Sequence, residues 1–341
     1  MAFYDWIFDG LGLRGWCDGS GQQSIVSLNQ LLAKTGSQTA DGPLFPFPSL
    51  DELHSACARL WQTRDLTAGV ESGFLAMKGG LKLVLDPLTQ PLSWALDGAL
   101  ALFSAIPWWV MIPVLVLLAQ RVTRSWGMAA LVAATFLFFA AIDHFDAAIQ
   151  TLSIVFVCSI LSVLIGVPTG ILMAKSNAVQ RVALPVLDLL QTLPTFVYLI
   201  PLIFLFSVTE SKLYGIAIIL YAVVPIIRMT DLGVRLVDPA VIEAADAFGM
   251  SPRQKLFGVE LPLALPNIMA GLNQTIMMSL AMVVIASLVS APGLGVLVLR
   301  GIRNLDLGVG MIAGLGIVLL AIVLDRTSKA ALDRLNTGQR H

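Results

Sequence analysis

Charged residues are scarce in this sequence, and it has no long basic stretch. Lys, Arg, Asp and Glu form 13% of the 341 residues and the net charge is −1, whereas soluble domains carry roughly 25% charged residues. Without a basic block or stripe, we expect no nucleic-acid partner. Apolar residues reach 57% and the mean hydropathy is +0.84. This composition indicates an all-α polytopic membrane protein in contact with the lipid bilayer.

The sequence also lacks the patterns of metal sites and catalytic centres. Its cysteines and histidines, which fit no zinc or redox spacing, are Cys17, Cys57, Cys158, His54, His144 and His341. GxxxxGK followed by Ser or Thr, HExxH and GxSxG are absent, so we predict no catalytic residue, no metal and no cofactor in this chain. The energy source must then be another subunit. Cys17 and Cys57 could form a disulfide in an extracytoplasmic region, with free thiols as the alternative.

The chain divides by composition. Residues 1–80 contain no run long enough to span a bilayer, and MAFYDWIFDG does not have the form of a signal peptide, so we predict an N-terminal extracytoplasmic extension. Apolar residues recur over 81–106 but are interrupted by prolines and charges, which predicts interfacial amphipathic helices. Residues 107–325 are predicted to form the transmembrane domain, followed by a cytoplasmic tail over 326–341.

Seven apolar runs follow Pro107, each close to the roughly 20 residues that a crossing helix needs. We place the crossings near 107–120, 125–142, 147–174, 184–207, 212–229, 263–290 and 308–325. Most basic loop residues fall on one side of this arrangement, which is therefore cytoplasmic, and Arg300 with Arg303 is the exception. The N-terminus is then periplasmic and the C-terminus cytoplasmic.

A polar stretch, Asp238–Pro262, separates two of the apolar runs. Asp238 is a good N-cap, Pro239 suits the first helical position, and Gly249 suits a left-handed helix end. Ser251 and Gln254 have the spacing of a capping box, which predicts a second helix ending at Pro262. On the first helix Val241, Ile242, Ala245 and Phe248 share a face, while Glu243 and Asp246 point away. The stretch is either a solvated loop or a small docking unit.

The amino-acid sequence of this stretch resembles the EAA loop of ABC-importer permeases. The match consists of Glu243, Ala244 and Ala245, then Gly249, then Val259 in place of the usual Ile, and finally Leu261 and Pro262. The segments 187–206, 223–234, 248–289 and 293–308 are similar to the glycine betaine/proline-type permeases of the osmoprotectant ABC importers. The resemblance covers about 82–332 and is absent or weak over the first eighty residues.

The resemblance implies a type I importer permease of MetI-like architecture in the bacterial inner membrane. The segment with Glu243, Ala244, Ala245, Gly249 and Arg253 would couple the chain to an ATPase subunit, which is present in two copies and binds ATP and Mg. The resemblance further implies a second copy of this permease and a separate periplasmic substrate-binding protein. The expected solute is a small quaternary amine or betaine: glycine betaine, proline betaine, choline, carnitine or trimethylamine N-oxide.

Polar stripes in two predicted crossings are candidates for a translocation lining. Helical spacing places Asp188, Gln191, Thr192 and Thr195 on one face of the fourth crossing, near Pro194 and Pro201. A second stripe in the sixth crossing contains Gln274, with Asn273 beside it. Hydrogen bonding between helices is the alternative for both stripes. Two other functions stay open: an ion-coupled secondary transporter of small amines, and an ABC permease for methionine or a sulfonate.

Overall fold

The computed structural model describes residues 3–12, 57 and 63–338, and the regular structure in these parts is helical, without a strand. The helices are α1 (Phe3–Gly10), α2 (Thr63–Ala105), α3 (Trp108–Thr123), α4 (Trp126–Ala141), α5 (Phe145–Lys175), α6 (Asn177–Thr192), α7 (Leu199–Leu205), α8 (Ser211–Arg235), α9 (Pro239–Ala247), α10 (Pro252–Lys255), α11 (Leu261–Ala286), α12 (Leu294–Asn304) and α13 (Leu307–Gly338). A π-helical segment, Leu256–Glu260, joins α10 to α11, and a 3₁₀ turn, Ser287–Val289, follows α11. The predicted all-α class is confirmed.

The chain forms two compact units, Met1–Leu81 and Lys82–His341. In the first unit Cys57 is buried and disulfide-bonded, so the free-thiol alternative is wrong for this residue. Cys17, which we considered as its partner, lies outside the described residues, as does most of the predicted extension. In the second unit Cys158 is a buried free thiol.

Four helical stretches among the described residues are long and apolar enough to cross a membrane. They are Phe145–Lys175, Ser211–Arg235, Pro252–Val289 and Leu307–Ala331. A fifth would be the pair Leu66–Ala105 and Trp108–Thr123, which is bent by 110° at its break, while α4 is a shorter apolar helix. The predicted count of seven crossings is therefore not confirmed.

Contacts between helix ends show which helices run in the same direction. The Arg235 guanidinium, at the C-terminus of α8, donates to the Met173 carbonyl at 2.6 Å and to the Asn177 side-chain oxygen at 2.9 Å. The C-termini of α5 and α8 are thus adjacent, at what we call the Arg235 end of the bundle. Since α8 begins at the opposite end, which we call the Lys212 end, the chain must return between the two helices.

The return path is broken: the crossing predicted over 184–207 is not one continuous helix, and the interruption falls at Pro194, one of the two prolines expected to disturb this run. It consists of α6 and α7, separated by the non-helical residues 193–198. Leu193 takes an extended conformation (ψ 132°) directly before Pro194, as expected because a proline ring disfavours helical geometry in the preceding residue. Pro194 also has no N–H to continue the hydrogen-bond ladder of α6.

Small residues allow α5, α8 and α11 to approach closely. A methyl group at Gly170 of α5 would lie 2.6 Å from Thr230 Cβ and 2.7 Å from the Ile227 carbonyl oxygen of α8. One at Gly271 of α11 would lie 2.8 Å from Met229 Cβ. Gly170 is therefore at a close helix contact, whereas Gly314 has open space around it among the described residues.

Part of α2 packs on the Lys212 end. Leu92 and Leu96 lie against Gly215, where a methyl group would be 2.5 Å from Leu96 Cδ1. The buried Lys212 ammonium pairs with Asp86 at 2.7 Å and with Glu210 at 2.8 Å, which offsets the cost of burying these charges. A single helix thus runs over residues for which we expected several, and its interfacial position stays a prediction.

We expect Gly170→Leu to destabilise the bundle by about 1–3 kcal/mol, because the added side chain meets the backbone carbonyl of Ile227 and cannot be accommodated by a rotamer change. Thermal unfolding of the purified protein in detergent measures this. Gly314→Leu is the matched control, since a Cβ there has no neighbour within 4 Å. Equal melting temperatures for the two variants would contradict the packing described above.

Candidate coupling surface and polar stripes

The helix α9 begins and ends at the residues that the sequence indicates. The Asp238 carboxylate accepts a hydrogen bond from the Ala240 N–H at 2.8 Å, and Pro239 occupies the first turn, where a missing N–H costs nothing. At the other end Gly249 has a φ of +71°, a conformation that glycine adopts without a steric penalty. The predicted short helix is therefore confirmed.

The following helix begins as predicted but does not end at Pro262. Gln254 N–H donates to Ser251 Oγ at 3.4 Å and Ser251 N–H donates to Gln254 Oε1 at 2.8 Å, which completes the capping box. The chain then continues through the π segment into α11, with the Leu261 N–H bonded to the Leu256 carbonyl. We attribute the continuation to this wider turn, since it leaves more room for the proline ring than a regular α-turn would.

The apolar face predicted for α9 is divided between the protein interior and the surface. Ala245 is 5% exposed and packs inward, whereas Phe248 is 87% exposed. Val241 is also exposed, and so are Glu243, Ala244 and Gly249 on the same segment. We call the exposed residues Val241, Glu243, Ala244, Phe248 and Gly249 the coupling surface. It offers an aromatic ring and a carboxylate to a partner.

The charges near the coupling surface differ in how they are engaged. Asp246 pairs with Lys255 at 2.7 Å, which joins α9 to α10. Within the described part of the chain, Glu243 and Arg253 are exposed and no ion pair is found for either. An exposed charge without an internal partner costs little in water and can pair with an opposite charge on another protein.

Behind the coupling surface, ion pairs fix the segment to the membrane helices. Glu260 of the π segment is 3% exposed and pairs with Lys175 at the end of α5. Asp231 of α8 accepts from Arg235 Nε at 2.9 Å and from Gln180 Nε2 of α6 at 2.7 Å. Two polar groups at the Arg235 end, which we together call its polar network, therefore connect α5 to the π segment and α8 to α5 and α6. Sequence reasoning missed Glu260, although a carboxylate beside an apolar run is a signal for a buried partner.

The structure separates the residues of the first polar stripe. Asp188 forms an ion pair with Arg228 of α8. Thr192 donates to the Leu189 carbonyl of its own helix at 3.4 Å. Gln191 is half-buried near the end of α6, and Thr195 lies in the non-helical break. The stripe is thus distributed over a helix and an irregular segment, and Arg228 is a neighbour that the sequence analysis did not include.

The residues of the second stripe face different surroundings. Asn273 donates to Asp325 of α13 at 3.1 Å and accepts from the Ser328 hydroxyl, so it is part of a network between α11 and α13. Gln274, the next residue, is exposed. Asn273 thus has the interhelical role that we gave as the alternative, while Gln274 is open to a partner or to solvent.

Comparison with known proteins identifies the family of the chain. Residues 166–340, about half of the chain, match the family described as the binding-protein-dependent transport system inner membrane component. The chain belongs to this family. It is therefore a multi-pass inner-membrane transport subunit and not an enzyme, and ATP hydrolysis is the task of a separate subunit. The membership also argues against an ion-coupled secondary transporter.

Individual relatives agree with the family. The chain is 43% identical over 259 residues to the glycine betaine/proline betaine transport system permease protein ProW of Escherichia coli, covering 75% of this chain and 72% of the relative. It is 41% identical over 247 residues to the glycine betaine/carnitine transport permease protein GbuB of Listeria monocytogenes, covering 71% and 87%.

A solved structure shows the same fold. The alignment with a chain of the inward-facing MetNI methionine ABC transporter covers 55% of this chain and 93% of the MetNI chain, with a TM-score of 0.51 and 20% sequence identity. The predicted MetI-like architecture is therefore confirmed, and at this identity the likeness concerns the fold alone.

We expect Glu260→Gln to lower the stability of the purified protein by about 1–2 kcal/mol, because it removes the charge that pairs with Lys175 from a buried site. The half-exposed Lys175 remains hydrated, which keeps the cost below that of a fully buried pair. Asp246→Asn breaks an exposed pair and should cost less than about 1 kcal/mol in the same thermal unfolding assay. A larger effect for Asp246→Asn would contradict the ranking.

Proposed function

We propose that this chain is the permease subunit of an ATP-driven importer for small betaine-type solutes. The observation that carries the proposal is the coupling surface, with α9 capped at both ends and Glu243 free to pair, in a chain that belongs to the family of importer permeases. The similarity to permeases named for glycine betaine, proline betaine and carnitine supports the solute class. Choline and trimethylamine N-oxide have similar cationic head groups and are further candidates.

The complete transporter would contain two copies of this chain, two ATPase subunits and a periplasmic substrate-binding protein. The chain has no phosphate-binding loop of its own, so ATP and Mg would bind to the ATPase subunits. The Arg235 end would face the cytoplasm, as supported by Lys175, Arg235, Arg253 and Lys255, which lie at or near this end. The substrate-binding protein would then dock at the Lys212 end.

The coupling surface has the chemistry that an ATPase contact needs. The ring of Phe248 can enter an apolar depression, and small residues such as Ala244 allow the backbone of α9 to approach closely. Glu243 can form a charge-assisted bond to a basic side chain on the ATPase. The pair between Asp246 and Lys255 keeps α9 in a fixed position relative to α10 while the ATPase moves.

The mechanism that follows is alternating access. Closure of the ATPase subunits on ATP would move α9, and the polar network at the Arg235 end would transmit the movement to α5, α6 and α8. The dimer would open outward and accept the solute from its binding protein. ATP hydrolysis and release of the ATPase contact would return it to the inward-facing state.

A purified complex tests the proposal. The chain is tagged and isolated from membranes, and the proteins that accompany it are identified. Its ATPase rate is then measured with the substrate-binding protein and glycine betaine. We expect an ATPase subunit to co-purify and solute-loaded binding protein to raise the rate. Betaine uptake that persists without any ATPase subunit would refute the proposal and point to an ion-coupled transporter.

Glu243→Arg and Gly249→Leu are each expected to reduce ATP-driven betaine uptake about tenfold or more, while the chain still inserts into the membrane. The first variant reverses the charge offered to the ATPase, and the second places a side chain at a positive φ. Uptake is measured in proteoliposomes, and insertion by the amount of chain in the membrane fraction. Glu71→Arg, an exposed glutamate of α2, is the control and should transport normally. Normal uptake by both coupling variants would contradict the assignment of this surface.

A further inference from the structure

Two charged residues face each other between α6 and α8, inside the part of the chain that forms the helical bundle. Arg228 of α8 donates from one terminal nitrogen to one carboxylate oxygen of Asp188. Arg228 is seven residues before Arg235, which places it about 10 Å from the end of α8. The pair is thus displaced from the network at the Arg235 end.

The pair is open to its surroundings rather than enclosed. The side chain of Asp188 is 60% exposed and that of Arg228 is 36% exposed. Charged groups within a membrane domain do not face lipid tails, because their dehydration is too costly; they face a water-filled cavity or another subunit. Gln191 and Thr192 follow Asp188 on the same helix face. Polar side chains over a full turn of α6 favour the first of these, an aqueous space on this side of the chain.

Arg228 has hydrogen-bonding capacity that the structure leaves unused. Among the described residues its guanidinium makes a single hydrogen bond, from one terminal nitrogen to Asp188; the second terminal nitrogen has no partner there, and neither has Nε, which is buried. A guanidinium can donate from two nitrogens to one carboxylate in a planar, bidentate arrangement. The present contact is therefore weaker than the one that Arg228 can make to a better placed carboxylate.

Arg235, on the same helix, shows the alternative of an arginine used to hold the structure together. Its Nε donates to Asp231, and its two terminal nitrogens donate to Asn177 and to the Met173 carbonyl. All three nitrogens are engaged, each with a different element or residue. The difference between the two arginines indicates that Arg228 does more than join two helices.

We propose that Arg228 and Asp188 form an exchange site for zwitterionic solutes, an inference that rests on the proposed function. The carboxylate of the solute displaces Asp188 from Arg228 and binds the guanidinium, and Asp188 then attracts the cationic nitrogen of the solute. No charge is left without a partner at any stage, since a zwitterion supplies both signs at once. A cation without a carboxylate cannot replace Asp188 on Arg228, so the site favours betaines over simple amines.

The test uses the complete transporter in proteoliposomes, with saturating substrate-binding protein and glycine betaine as the solute. Betaine uptake and ATP hydrolysis are measured together, because their ratio reports whether solute passes when the ATPase turns over. The double variant Arg228→Gln with Asp188→Asn removes both charges and leaves two side chains that can still hydrogen-bond to each other. We expect uptake per ATP to fall about tenfold, the usual effect of losing a charge-assisted contact, with hydrolysis retained.

A conservative double variant, Arg228→Lys with Asp188→Glu, keeps both charges and should retain most of the uptake per ATP. Arg235→Gln is the structural control, because its loss should lower the melting temperature of the complex and reduce uptake and hydrolysis in parallel.

Three results would overturn the exchange site. The first is a wild-type uptake per ATP in the neutral double variant. The second is a neutral double variant that loses uptake, hydrolysis and melting temperature together, as Arg235→Gln does, because the contact would then be only structural. The third is a conservative double variant that loses as much uptake per ATP as the neutral one. A wild-type complex that hydrolyses ATP but imports no betaine would instead refute the proposed function and its solute class.

Discussion

The close backbone contact between α5, α8 and α11 is the constraint on which the remaining structure depends. Gly170 lies directly against the Ile227 carbonyl, and Gly271 against Met229, so these helices are held at a distance that larger residues would not allow. Because the three axes are fixed so closely, their charged ends have fixed positions too. Glu260 meets Lys175 because the start of α11 lies beside the end of α5, and Arg235 reaches the Met173 carbonyl because α5 and α8 end side by side.

The two ends of the bundle use buried charges for different purposes. At the Lys212 end, one lysine is surrounded by Asp86 and Glu210 and lies 5.1 Å from the centre of the Phe206 ring, which anchors α2 to the start of α8. At the Arg235 end the charges connect α5, α6, α8 and the π segment, and the mostly exposed helix α9 lies close to them in the sequence. Because α9 is joined to this end of the bundle, a displacement of α9 can move several membrane helices at once, which is what coupling to an ATPase requires.

Local features were predictable from the sequence, whereas pairings between distant helices were not. The caps of α9 and the capping box at Ser251 depend on residues within one turn, and all were found where the sequence places them. The break at residues 193–198 also has a local signal in Pro194, whereas the passage of the helix through Pro262 depends on a π turn that no short pattern encodes. Arg228 was available as a signal, since it is a charge in the apolar run VVPIIRM, but only the structure shows that Asp188 is its partner.

An importer needs some contacts that never change and others that change in every cycle, and α8 contains both kinds within two turns. Arg235 donates from all three nitrogens, to Asp231 of its own helix, to Asn177 of α6 and to the Met173 carbonyl of α5, so a movement of α8 away from α5 and α6 would have to break the last two contacts together. Within the described part of the chain, Arg228 keeps an unused donor and has one exposed partner, Asp188, so the cost of replacing that partner is small. A helix whose end is held by fixed contacts, and whose ion pair seven residues earlier can be exchanged, can move as one body with the ATPase while the exchange site that we propose accepts and releases a zwitterionic solute.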